Sequence, residues 1–434
     1  MPPKKGKGKK GKKKKKPKKP KGMLEDPGVV VKRLSKLYID NCAKKKNVVC
    51  PGVKVMLKDC YENDRLIVKF ILEPVPDFQD EVLSNVSLDT VVMTIRHERY
   101  KWVKEFHVWD IPLKHETVAN LALMLETGIY PVIRIELVDC ALVPFSIARI
   151  AQPLSLNTSL VTSLCLDYNE FGDEGVKGLC AGLASNKVML SLSLCYCDLG
   201  VESGAMLGDL ISKTAIREIY LNGNNLEAEG VIELIKMAVD HAEVESRERQ
   251  EEASRKAAEA EALTLLQEKE KRERRGVISD TEKQDEEKPA SAKSSKSGKK
   301  KKKKGKKKKG KTKDPPGPPP VGPLIYKLHV ADNGIDAHGR GSTYAPVIAM
   351  RLFRTLIEHS MCLQEIDLDD NAIGDLGGRE IMDGLKARGE ADLPGIKMAV
   401  THQMNSDTFA SIVKLGAGLK KKKKKKGKKK KKKK

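Results

Sequence analysis

From residue 103 onward, apolar positions recur in one frame: residue i is apolar, i+3 and i+5 are apolar, and i+8 is Asn or Cys. Val161, Leu164, Leu166 and Asn169 fill it, as do Met189, Leu192, Leu194 and Cys197, then Ile216, Ile219, Leu221 and Asn224. Upstream, Val132, Ile135, Leu137 and Cys140 fit, and Val103, Phe106 and Val108 fit with Ile111 in the polar place. Downstream, Ile325, Leu328, Val330 and Asn333 fit, then Leu363, Ile366, Leu368 and Asn371, with a degenerate last copy through Met398 and Val400. The first five copies begin at 103, 132, 161, 189 and 216, which are spacings of 29, 29, 28 and 27. Alternation at i+3 and i+5 predicts a short strand with one buried side, and the polar residue after it turns the chain.

A second periodicity follows each turn. Gly175, Val176, Leu179 and Leu183 place apolar groups three and four apart, on one helical face, and Thr117, Val118, Leu121 and Leu125 repeat that frame in the weakest copy. Asp173 and Glu174 stand in or before the first turn, where the helix dipole favours negative charge. One such unit cannot cover its own apolar face, so neighbouring copies must stack. The pattern L-x-x-L-x-L-x-x-N/C at a period of roughly 28 resembles leucine-rich repeats. A helix in every unit resembles the ribonuclease-inhibitor class over residues 100–240 and 321–416. That resemblance implies an α/β solenoid: a horseshoe arc with parallel strands inside and helices outside.

Other segments interrupt the frame. Residues 23–100 are expected to cap the array, with a short helix, a turn at Pro51 and Gly52, and further elements near Leu66 to Leu72. Repeats are expected over 101–240, an insertion over 241–320, and repeats with a C-terminal cap over 321–416. The insertion opens rich in Ala, Glu, Lys and Arg, with opposite charges spaced for i to i+4 pairing, which predicts a solvated helix. Only Val244 and the cluster Leu263, Leu265 and Leu266 offer it an apolar face, so no sustained coiled coil is expected. The insertion then becomes Lys-rich and ends in the stiff proline run Pro315 to Pro320. Whether one arc closes across it or two arcs form is open from sequence.

Charge sharpens this division. Residues 1–22 hold 13 Lys, 299–313 hold 12 and 420–434 hold 14, all without an acidic residue; removing these 39 charges from +24 leaves −15. An acidic body therefore carries poly-lysine segments, expected to be disordered at 1–22 and 417–434 and within the insertion. No apolar run approaches the roughly 18 residues of a membrane span, so no membrane partner is expected. Nine cysteines in so long a chain argue for a reducing compartment rather than a disulfide framework.

The candidate chemistry is sparse, and no catalysis, metal or cofactor is expected. Cys195 and Cys197 form C-Y-C, but Cys197 is the turn position, as Cys140 is one copy earlier. The glycines of Gly334 to Gly341 follow Asn333 as a turn and lack the Lys-Ser/Thr of a phosphate loop. Ran GTPase-activating proteins resemble this repeat class, yet Arg96, Arg99 and Arg134 match that activity in no specific way. The turn ladder is Cys140, Asn169, Cys197, Asn224, Asn333 and Asn371. Positions i+2, i+4 and i+6 are free of the core, which makes Ser163, Cys165, Asp167, Ser193, Cys195, Glu218, Tyr220 and Asn222 the candidate concave surface for a protein partner.

The lysine-rich start MPPKKGKGKKGKKKKK, the repeat array and the lysine tail together resemble leucine-rich-repeat proteins of cilia and flagella. That resemblance implies a scaffold of the axoneme, in the cytoplasm and cytoskeleton, with lysines touching acidic tubulin tails on microtubules. The alternatives are a nuclear or nucleolar protein whose tails bind nucleic acid without reading sequence, and a small-GTPase regulator. The tracts lack aromatic residues for base stacking, which disfavours specific readout.

Overall fold

The computed structural model describes residues 25–80, 82–280, 318–336 and 343–417, with backbone alone at 272–280. The three lysine tracts therefore lie outside the described residues, as do the Lys-rich part of the insertion and the end of the glycine stretch after Asp336. The chain divides into two units, Met1–Glu170 and Phe171–Lys434.

The first unit opens with α1 (Pro27–Lys45) and α2 (Pro51–Glu62), followed by β1 (Lys69–Leu72), α3 (Leu88–Glu98), β2 (Glu105–Trp109), α4 (His115–Glu126), β3 (Arg134–Val138), α5 (Pro144–Leu154) and β4 (Ser163–Cys165). Asp26 caps α1, its side chain accepting from the Gly28 amide at 3.1 Å, and Pro27 supplies a preset φ at the first helical position. The turn expected at Pro51 and Gly52 is instead the start of α2, because proline is as well suited to a helix N-terminus as to a turn. The strands are parallel and follow in chain order, with Phe70 opposite Phe106, Phe106 opposite Ile135, and Ile135 opposite Leu164. β1 thus extends the repeat frame to Ile67, Phe70 and Leu72, all buried, which are upstream of the copies found by periodicity.

The second unit contains α6 (Gly172–Leu183), β5 (Ser191–Ser193), α7 (Val201–Lys213), β6 (Glu218–Tyr220) and α8 (Glu227–Asp280). It continues with β7 (Lys327–His329), α9 (Ala345–His359), β8 (Glu365–Leu368), α10 (Gly374–Glu390), β9 (Lys397–Val400) and α11 (Ser406–Gly416). Ile219 of β6 faces Leu328 of β7 in parallel register, so the repeats on either side of the insertion share one sheet. Met398 and Val400 pair with Ile366 and Leu368, giving the degenerate last copy a strand. The solvated helix expected in the insertion is not separate: α8 is a single helix of 54 residues that begins as the repeat helix.

Burial follows the frame. Leu164, Leu166, Leu192, Leu194, Ile219, Leu221, Leu328, Ile366 and Leu368 are all buried, each contributing roughly 1.5–3 kcal/mol by leaving water. On the helices, Val176, Leu179 and Leu183 are buried as the spacing requires. In α4 the deep position is Met124 rather than Leu125, which is half-buried. Gly204 lets α7 and α8 meet closely, since a Cβ there would strike the Gly230 carbonyl.

The turns are built alike. Residue i+7 is left-handed in seven copies, at Asp110, Asp139, Tyr168, Tyr196, Gly223, Asp332 and Asp370, with φ from 49 to 69°. Asp tolerates this conformation and Gly adopts it freely. The next residue then points its side chain inward. Asn169 accepts from the amides of Cys140 and Leu142 at 3.0 and 3.1 Å and donates to the Leu137 and Leu166 carbonyls, both at 2.8 Å. Asn224 does the same for Cys197, Leu199, Leu194 and Leu221, and Asn371 for Asn333, Ile335, Val330 and Leu368. Cys140 occupies the position with a thiol, a weak donor 3.4 and 3.5 Å from the Val138 and Val108 carbonyls.

Arg388 is buried near the end of the second unit, with no carboxylate partner among the described residues. Its guanidinium donates to the carbonyls of Ile357 and Ser360 at 2.7 Å and of Pro394 at 2.6 Å, closing the C-terminal end of α9. Burial lowers its pKa to about 10.

Candidate protein-binding site

Strand alternation places i+2, i+4 and i+6 on the side opposite the core. In the first unit that side carries Lys69, Glu105, His107, Trp109, Arg134 and Glu136, and at its last strand Ser163, Cys165 and Asp167, which are half-buried. His107 is held between two carboxylates, with Nε2 3.1 Å from Glu105 and Nδ1 on Glu136, while Arg134 donates to the other Glu136 oxygen at 3.3 Å. The His107 ring meets Trp109 edge-on at 5.9 Å. Burial pushes the Cys165 thiol up, and the neighbouring Asp167 carboxylate adds to that, so the sulfur stays protonated and unreactive.

In the second unit Ser193, Cys195, Glu218, Tyr220 and Asn222 occupy the same side, half-buried. Asn222 also serves the backbone, its side-chain oxygen accepting from the Ala331 amide at 3.0 Å. Glu218 pairs with Lys327 at 3.1 Å, which raises the Lys327 pKa, and it accepts from the Tyr220 hydroxyl at 3.4 Å. Tyr220 and His329 meet edge-on at 4.8 Å. Beyond them Lys397 pairs with Glu365 at 2.5 Å, raising the lysine and lowering the glutamate. His329 lies 3.5 Å from Glu365 and 3.6 Å from Asp367. Its Nε2 has no hydrogen-bond partner among the described residues. Desolvation lowers the His329 pKa against the pull of those two carboxylates.

Every residue proposed from the sequence for this surface lies on the strand side away from the core. The candidate surface named from the sequence covers three copies, and it leaves out Glu105, His107, Arg134, Glu136, Lys327, His329, Glu365 and Asp367 on the same side. Those residues were available from the same offsets in the remaining copies. The six turn-ladder residues are all buried. Chemically, the faces offer paired charges with aromatic edges on a rigid backbone. Burial pushes the Cys140 and Cys180 thiols up to about 12. No disulfide joins any of the nine cysteines, and no group of three His, Cys, Asp or Glu residues among the described ones is placed to hold a metal. No helix among the described residues is long and apolar enough to cross a membrane.

The Leucine Rich repeat family model matches residues 159–180 and 359–382. A human protein, NACHT, LRR and PYD domains-containing protein 13, is 38% identical over 73 residues, which are 16% of this chain and 7% of that protein. The chain thus spans a small fraction of the length of this curated relative. Together with the parallel strands and their intervening helices, the matches define an α/β leucine-rich-repeat solenoid. Such repeats are typically surfaces for binding other proteins.

Proposed function

We propose that this protein is a non-enzymatic scaffold of the ciliary or flagellar axoneme, a ribonuclease-inhibitor-type repeat array. Its strand faces grip a protein partner, and its lysine tracts hold acidic surfaces such as tubulin tails. The observation that carries the scaffold reading is the second unit's strand face. There Glu218–Lys327 and Glu365–Lys397 flank the Tyr220–His329 pair, outside the core and fixed by parallel register. Paired charges beside an aromatic edge select a partner by complementarity rather than by bulk hydrophobicity. A helix in every repeat supports the ribonuclease-inhibitor class.

The axonemal part rests on charge distribution. Tracts of 13, 12 and 14 lysines on an acidic body supply several weak contacts that act together once one has formed. Lysine attraction to polyanions is screened by salt. Co-sedimentation of the full chain with microtubules should therefore fall steeply with salt and weaken when the acidic tubulin tails are cleaved. Binding that is unchanged after cleavage rules out the tubulin contact. A tagged full chain should appear in the cilium, and nuclear accumulation without ciliary signal overturns the axonemal placement.

A further inference from the structure

The antiparallel pair α1 and α2 leaves a cleft of about 640 Å³ on its outer side, floored by Val31, Ile39, Leu57 and Tyr61. Val55 at its rim is 68% exposed and Tyr61 is 49% exposed, although both are apolar or largely so. Each wall carries two lysines one helical turn apart, Lys32 and Lys36 on α1 and Lys54 and Lys58 on α2, against one carboxylate, Asp40. An apolar trough with cations on both rims fits an amphipathic helix whose apolar stripe has carboxylates on both edges.

The far half of α8 has that pattern. Ala258, Ala262, Leu265 and Leu266 are spaced four, three and one apart and so share a stripe. At 100° per residue, Glu261 and Glu268 fall along one edge and Glu259 and Glu270 along the other. All of residues 251–271 are exposed, with Leu265 at 59% and Leu266 at 60%. None of these four glutamates forms an ion pair among the described residues. Between Ala258 and Glu270 the stripe carries one cation, Lys269, as the cleft carries one carboxylate, Asp40. Cleft and stripe therefore carry opposite net charges of three, from four lysines less Asp40 and four glutamates less Lys269.

We propose that the cleft between α1 and α2 binds the far half of α8 from a second copy of this chain. The proposed contact is head-to-tail, the cleft of one copy on the helix of the next, and leaves a free cleft at one end and a free helix at the other.

Sedimentation of the full chain tests this. The wild-type mass should rise with concentration and fall back in high salt. A cleft variant, Lys54→Glu with Lys58→Glu, and a helix variant, Leu265→Glu with Leu266→Glu, should each self-associate at least about tenfold more weakly. Mixed together, they should form a one-to-one pair and stop there, since the intact helix of the first meets the intact cleft of the second. That recovery also shows that both variants are folded. A wild-type chain that stays monomeric overturns the proposal, as does a mixture that stays monomeric. So does a cleft variant that self-associates like wild type, which is the result expected if α8 pairs with α8 or if the lysine tracts drive association.

Discussion

α8 is one helix with two unlike halves. Its first half is a repeat helix: Val231, Leu234, Ile235, Ala238 and Val239 are buried, and Gly204 of α7 allows close contact. Its second half has no buried residue from 251 to 271, and the ion pair Lys256–Glu252 at 2.5 Å shows what supports it. The handover comes at Ser246 and Arg249. Ser246 meets His359 Nδ1 at 3.1 Å, and Arg249 donates to the His359 carbonyl at 2.6 Å, at the end of α9. Helical backbone is thus continuous while its cause changes from tertiary burial to local propensity and charge spacing.

The sharpest test compares Leu234→Ala with Leu266→Ala. The first should cost roughly 2–5 kcal/mol in denaturant unfolding of the second unit, and the second should stay within about 0.5 kcal/mol. Equal losses break the distinction. Next in size, Gly204→Ala should cost about 1–3 kcal/mol, since the new methyl forces α8 away from α7. Arg249→Ala should cost on the order of 1 kcal/mol and raise hydrogen exchange at the end of α9, because it removes a charged donor from a terminal carbonyl. The smallest effect is on pH. The Lys256 ammonium holds the exposed Glu252 carboxyl below its ordinary value, so that support is present above the usual glutamate pKa and is lost as pH falls through the lowered one. Helicity measured by circular dichroism should fall slightly over that range, and Lys256→Ala should remove this part of the pH response.

The same contrast marks what the sequence discloses. Repeats are legible because each inward leucine answers to its neighbour at a fixed offset, and the frame reaches the degenerate strand at Met398 and Val400. An element is expected near Leu66 to Leu72, where β1 lies, but its place in the repeat frame is not legible because Ile67 lies 36 residues before Val103, outside the period of the others. Pro51 misled because one fixed φ serves both turn and helix start. The continuity of α8 was hidden because apolar periodicity stops near Ala242 while helix-favouring composition goes on. On the strand faces, offsets identify which side chains leave the core, but the His107–Glu136 and Tyr220–His329 contacts depend on register between separate strands.

One rung of the turn ladder is incomplete. Asn333 donates to the Leu221 and Ala331 carbonyls, but its buried side-chain oxygen has no hydrogen-bond partner among the described residues, unlike those of Asn169, Asn224 and Asn371. This happens where β7 joins β6 after the long excursion of the chain. An unmatched acceptor there makes the β6–β7 seam the cheapest place to part the strands of the second unit, so breathing under load should begin at that junction and spare the flanking repeats.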